Sequence, residues 1–152
     1  MTRKPPQYQH HVYGKSGAFE VYDSLNKAGQ RVVCVDCAKA SSQRRYDWQN
    51  KIMFMCTLDE MGQLCAVLLS YSDGVQFKFH GPAKDKSLAM RFDPEGNLLL
   101  EMNATGFATT VRIQSVYDRL AVTTLFLRLL AENLDISITE LQSQLQAYYA
   151  RQ

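Results

Sequence analysis

Hydrophobic and polar positions follow two periods along this chain, and the changes of period mark its elements. Residues 11–23 alternate loosely, which predicts strand, with Gly14 and Gly17 allowing a bend or bulge. Asn26-Lys27-Ala28-Gly29 reads as a turn. The β-branched run from Arg31 to Cys37 predicts a second strand. Ala40 to Asn50 reads as a long polar connection. Lys51 to Cys56 is apolar at both parities, the pattern of a strand buried on both faces.

The period then lengthens. Thr57-Leu58-Asp59-Glu60 has the form of a capping box, and Met61, Leu64, Cys65 and Leu68 follow at i, i+3, i+4, i+7. That helix should stop near residues 70–74. A four-strand meander follows. Val75, Phe77 and Phe79 should share its inner face, and Gln76, Lys78 and His80 the other. Leu88, Met90 and Phe92 alternate with Ala89 and Arg91. Asp93-Pro94-Glu95-Gly96-Asn97 is a turn signal, and residues 98–103 and 107–114 complete the set.

Ser115 and Asp118 open a second helix that runs to about Leu134 and is apolar nearly all round. Such a helix needs cover from two directions. We expect the sheets on one side and a partner subunit on the other. Ser137-Ile138-Thr139-Glu140 reads as another capping box. It starts a short helix to about Ala150, with Leu141, Leu145 and Tyr148 on one stripe.

Composition adds bounds. The 152 residues suffice for one domain with a proper core. No apolar run reaches the roughly 18 residues of a membrane span. Residues 1–10 are polar and basic without an apolar core. They read as a flexible tail rather than a signal or transit peptide, which implies a cytoplasmic protein. Cys34, Cys37, Cys56 and Cys65 lie in apolar company. Cys34-Val-Asp-Cys37 lacks a second ligand pair and sits in a strand, where positions i and i+3 face opposite ways. All four read as reduced structural thiols, with no metal or cofactor expected. No nucleophile elbow, phosphate loop or paired-carboxylate spacing appears, so an enzyme is not expected.

Net charge is only +2, but its distribution is uneven. Residues 39–51 hold Lys39, Arg44, Arg45 and Lys51 against Asp47 alone, interleaved with Tyr46 and Trp48, the only tryptophan. Residues 75–92 hold Lys78, Lys84, Lys86 and Arg91 against Asp85. Residues 113–152 carry three basic and four acidic side chains, so the positive field belongs to the earlier part of the chain. Cations beside aromatics suit single-stranded nucleic acid, because Arg and Lys neutralise phosphates while Tyr and Trp stack on bases. The candidate phosphate contacts are Arg44, Arg45, Lys51, Lys78, Lys84, Lys86, Arg91 and Arg112. Tyr46 and Trp48 serve either as stacking platforms or as packing anchors. Phe77, Phe79 and Phe92 are expected in the core.

Several segments carry a family resemblance. They are residues 16–21 (Ser-Gly-Ala-Phe-Glu-Val), the strand from Val32 to Ala38, and above all Arg45-Tyr46-Asp47-Trp48-Gln49-Asn50-Lys51-Ile52-Met53-Phe54. Residues 57–64 and Phe77-Lys78-Phe79-His80-Gly81-Pro82 add to it. With the order of strands, helix, four strands and long helix, these segments resemble the Whirly family of single-stranded DNA-binding proteins over roughly residues 12–134. The resemblance implies an α+β fold of two antiparallel β-sheets with a helix after each sheet, and residues 135–152 form an extra C-terminal helical extension. It also implies a homotetramer, and single strands bound with little sequence preference on sheet surfaces and at edges between protomers. Positive cofactor four and kinetoplast guide-RNA-binding proteins belong to the same larger fold group. The lack of a transit peptide points to a bacterial or phage-like relative. The expected role is single-stranded DNA binding in replication, repair, recombination or DNA transfer. RNA binding or annealing on the same fold, and an oligomeric protein-interaction scaffold, remain the alternatives.

Overall fold

The computed structural model describes residues 5–152. Strands Gln9–Tyr13 (β1) and Gly17–Leu25 (β2) form an antiparallel hairpin, and Arg31–Ser42 (β3) pairs with β2 along its length. The far edge of β3 is shared by two short strands: Arg45–Tyr46 (β4) pairs near residues 40–42, and Ile52–Met55 (β5) pairs with residues 34–37. Helix Leu58–Leu68 (α1) follows this five-stranded sheet. The second sheet is a meander in chain order, Gly74–His80 (β6), Lys86–Phe92 (β7), Leu98–Ala104 (β8) and Phe107–Ile113 (β9). Helices Val116–Leu134 (α2) and Ile138–Ala150 (α3) end the chain. This is the α+β arrangement expected, two antiparallel sheets each followed by a helix, with one further helix.

The helix starts are where side-chain chemistry puts them. Thr57 Oγ1 accepts from the Glu60 N–H at 3.1 Å, and Glu60 Oε1 accepts from the Thr57 N–H at 2.9 Å, so two orphan donors of α1 are satisfied reciprocally. Ser115 and Ser137 cap α2 and α3 through the N–H of Asp118 and Glu140. At Ser137 only this half of the expected box forms.

The core lies between the sheets and under α1 and α2. Phe19, Val35 and Phe54 come from the first sheet, Leu88, Met90, Leu100 and Met102 from the second, and Met61, Leu64, Phe126 and Leu129 from the helices. The sheets meet where β2 approaches β9, and Gly17 makes that approach possible. A Cβ there would lie 2.2 Å from Thr109 Oγ1 and 2.9 Å from the Ala38 carbonyl oxygen. Gly17→Ala must therefore push the sheets apart. We expect a loss of roughly 1–3 kcal/mol. Urea denaturation measures it, and unchanged stability would mean the joint is softer than its geometry.

The structure corrects several expectations. The loose alternation over residues 11–23 is two strands, not one, because the chain reverses between Tyr13 and Gly17, where the Gly14 N–H donates to the Gly17 carbonyl at 2.8 Å. The polar connection of residues 40–50 is largely ordered. β3 runs on to Ser42, a tight turn with Arg44 at φ 63° returns the chain into β4, and residues 48–50 form one 3-10 turn. These residues lie at the solvated end of the sheet, so no apolar alternation marks them as strand. β5 is buried on one face only: Phe54 is inside while Met53 is 43% exposed.

Phe79 is the largest discrepancy. A bulge between Phe77 and His80 shifts the β6 register, so Phe79 sits at φ 66° and is 75% exposed instead of sharing the inner face with Phe77. The same bulge turns His80 inward, where its ring stacks on Phe54 at 3.9 Å and its Nε2 lies 2.7 Å from Glu60 Oε2.

The tail expected over residues 1–10 is anchored at its end. The Tyr8 N–H donates to the buried carboxylate of Asp23 at 2.6 Å, and β1 begins at Gln9. Residues 1–4 of that tail lie outside the described residues. The cover of α2 is also more internal than expected. α1, α3 and the first sheet pack on it and bury Val122, Leu125, Phe126, Leu127, Leu129 and Leu130. Its start stays uncovered, at Val116, Tyr117 and Leu120, as does Leu134 at its end. Among the described residues no helix is long and apolar enough to cross a membrane.

All four cysteines are buried, and none forms a disulfide. Burial pushes the Cys65 thiol up to about 12 and raises Cys37 and Cys56 as well, so the protonated, unreactive form dominates at neutral pH.

Candidate nucleic-acid interface

The solvent-side face of the first sheet is built by alternation. Register aligns His11 with Glu20, Asp36 and Met53 across β1, β2, β3 and β5, and Tyr13 with Ala18 and Ala38 one row further on. The 3-10 turn at Trp48 packs back on β3. Four rings then form one chain of contacts. Tyr13 stacks on His11 with centroids 5.8 Å apart and planes 6° apart. Trp48 meets His11 edge-on at 5.7 Å, and Tyr46 lies 5.5 Å from Tyr13 at 34°. Tyr46 is held from behind, since its hydroxyl donates to the Gly14 carbonyl at 2.6 Å. Tyr13 is 60% exposed and Trp48 half-buried, so Tyr13 is the open ring and Trp48 both packs and presents an edge.

Two carboxylates lie on the same face, and each has a cationic or protonatable neighbour. Asp36 is 1% exposed. It accepts from the Tyr22 hydroxyl at 2.9 Å and from Lys51 Nζ at 2.7 Å. Glu20 Oε2 lies 3.4 Å from His11 Nε2. The Lys51 ammonium balances the Asp36 charge and so lessens a repulsion that phosphates would otherwise meet.

The sequence-chosen residues separate into groups. Arg44 and Arg45 are exposed at the β3–β4 turn beside the ring cluster. Arg112 projects from the outer face of β9 and lines, with Tyr13, Lys15, Ser16 and Thr110, a groove of about 620 Å³ next to the rings. Lys78 lies on β6, Lys84 on the β6–β7 loop and Lys86 at the start of β7. Lys86 Nζ donates to the Met53 carbonyl at 3.0 Å, which fixes the side chain without cancelling its charge. Lys51 and Arg91 are committed elsewhere. Lys51 serves the buried Asp36, and Arg91 binds Glu101 at 2.5 Å on the outer face of the second sheet. Arg44, Arg45, Lys78, Lys84 and Arg112 have no carboxylate within ion-pair distance among the described residues.

Sequence reading missed Tyr13, His11 and Lys15. The signal available was the two-residue spacing of His11 and Tyr13, which puts both on one face once β1 is a separate strand. It also missed how firmly the β6–β7 loop is held. The Thr105 N–H donates to Asp85 Oδ2 at 2.9 Å and keeps that carboxyl below its ordinary value, so Asp85 stays ionised between Lys84 and Lys86. Among the described residues no His, Cys, Asp and Glu side chains converge as a metal site would require.

A family model described as Whirly transcription factor matches residues 14–96. The fold is similar to WHY3 from Arabidopsis thaliana, with a TM-score of 0.60, 20% identity, 84% of this chain covered and 89% of that one. It is similar to the plant transcriptional regulator PBF-2, with a TM-score of 0.63, 20% identity and coverages of 86% and 83%. It is also similar to the MRP1/MRP2 structures of a trypanosome, with a TM-score of 0.60, 14% identity and coverages of 86% and 88%. No curated protein matches the sequence significantly. These relatives come from plants and a trypanosome and lend no support to a bacterial or phage source.

Proposed function

We propose a function from one established premise: this chain belongs to the Whirly family, whose model matches more than half of it. The protein is a sequence-tolerant single-stranded DNA-binding protein without catalytic activity, serving replication, repair, recombination or DNA transfer. The observation that carries this reading is the ring cluster of Tyr46, Tyr13, His11 and Trp48 flanked by Arg44, Arg45 and Arg112. Rings offer π-faces that every base can use, and the cations follow the backbone, so affinity arises with little base discrimination. The relative described as a plant transcriptional regulator makes transcription a further process in which such binding would act. The protein acts as a homo-oligomer, a tetramer on the family pattern. Its subunits meet through the uncovered start of α2 at Val116, Tyr117 and Leu120, whose exposed apolar surface suits a second copy.

Fluorescence anisotropy of a labelled oligothymidine tests the reading, with duplex DNA and a matched RNA as competitors. Affinity should fall roughly 100-fold or more between about 50 mM and about 200 mM salt, because several phosphate contacts release counterions. Duplex should compete poorly. Arg45→Ala and Lys78→Ala should each weaken binding similarly on all sequences and flatten the salt dependence. Binding that ignores salt, or that duplex abolishes, would sink the proposal. Stronger competition by RNA would move the assignment to RNA, which alone offers the 2′-hydroxyl.

A further inference from the structure

We infer that Phe79 is a second base-stacking platform for single-stranded nucleic acid, at the end of β6 and separate from the Tyr13 cluster, with Lys78 and Lys84 as its phosphate contacts. The inference rests on the nucleic-acid reading above and adds a binding point to it.

Two features of Phe79 are costly by themselves. A phenylalanine at φ 66° adopts a backbone conformation that glycine or asparagine takes with far less strain. Its ring is 75% exposed, so it contributes almost nothing to the core. The bulge has a structural use, since it seats His80 against Phe54 and Glu60. That use explains the backbone at position 79 but not the side chain. A small polar residue would serve the bulge equally well, so the aromatic ring needs a separate reason.

The surroundings supply one. Lys78 precedes Phe79 and is exposed, and Lys84 stands exposed at φ 53° on the β6–β7 loop. The loop is braced on both sides. Lys86 reaches the Met53 carbonyl and packs its methylenes under Gly81, where a Cβ would meet them at 3.0–3.3 Å. Asp85 is tied to the Thr105 N–H, and the Lys84 N–H donates to the Gly81 carbonyl at 3.0 Å. An exposed ring beside cations on a pre-ordered loop is the arrangement a stacked base and its phosphates require, and little ordering entropy is lost on binding.

Phe79→Gly separates this inference from its rivals. Removing the ring should weaken binding of a long oligothymidine by roughly 5- to 150-fold, one stacked base in free-energy terms. Removing the positive-φ strain should at the same time raise the melting temperature by a few °C, roughly. Affinity and stability moving in opposite directions is the expected signature. Phe79→Trp should restore binding. An abasic phosphodiester strand should bind wild type and Phe79→Gly alike. Unchanged oligothymidine affinity in Phe79→Gly, with wild-type binding intact, would overturn the inference and leave the general function standing. A wild-type protein that binds no single strand would overturn both. A variant that changes oligomeric size by light scattering would assign Phe79 to a contact between copies of this chain and overturn the stacking role.

Discussion

Tyr13→Ala weakens oligothymidine binding by roughly 5- to 150-fold while leaving the melting temperature nearly unchanged. The ring is the most exposed of the four in the cluster and meets His11 at 5.8 Å and Tyr46 at 5.5 Å. Truncating it opens no cavity, because it projects from an edge strand toward solvent. What is lost is a π-face positioned in advance. Trp48→Ala is a poorer experiment, since the half-buried indole also covers the sheet and its loss lowers stability and binding together. Trp48 serves better as a reporter. It is the only tryptophan, so its emission responds to a base arriving at the cluster without any label. Titrating wild type and Tyr13→Ala with oligothymidine, by anisotropy and by Trp48 emission, gives two independent readings. Equal affinities would remove Tyr13 from the interface.

The second large effect concerns Lys51, a residue the sequence marks as a phosphate contact and the structure gives another task. Asp36 is 1% exposed, and its charge is balanced by Lys51 Nζ at 2.7 Å and the Tyr22 hydroxyl at 2.9 Å. Lys51→Met leaves a buried carboxylate with one neutral donor. We expect a loss of about 2 kcal/mol, at the low end for breaking such a pair because the lysine itself is 43% exposed and water reaches it. Lys51→Met with Asp36→Asn should recover much of that loss, giving a clear coupling in a double-mutant cycle measured by urea denaturation. Binding should suffer less in Lys51→Met than in Arg45→Ala. A Lys51→Met protein as stable as wild type, with binding as poor as Arg45→Ala, would return Lys51 to the phosphate contacts.

These residues show which parts of the molecule the sequence reveals. The helices were legible because each announces itself twice, by a cap and by an apolar period. Thr57 with Glu60, Ser115 with Asp118, and Ser137 with Glu140 are all local signals. The meander was legible because β7, β8 and β9 alternate around clear turns. The ends of the first sheet were not. Arg45 and Tyr46 pair with Ser42 and Ala40 of β3 in a stretch without apolar alternation, so that pairing leaves no trace in hydropathy. Phe79 was misplaced for a related reason. Period-two reasoning assumes an unbroken ladder, and a single bulge inverts the facing of every later residue in the strand.

The candidate site divides along the same line. Arg44, Arg45, Tyr46 and Trp48 are adjacent in sequence, and composition alone marks them as a basic, aromatic segment. Tyr13 and His11 join them from some 35 positions away only because β1 is an edge strand and the Trp48 turn folds back toward it. Lys51 and Arg91 look like the other cations in sequence. Their partners Asp36 and Glu101 are strand neighbours, and only register shows that those charges are already matched. The chain by itself thus determined its helices and its meander, its family and the residue types available for binding, because caps, periods and motifs act over a few residues. Tertiary structure decided which rings form one surface and which cations remain for a ligand. Those outcomes depend on strand register and burial, which arise only when distant segments pair.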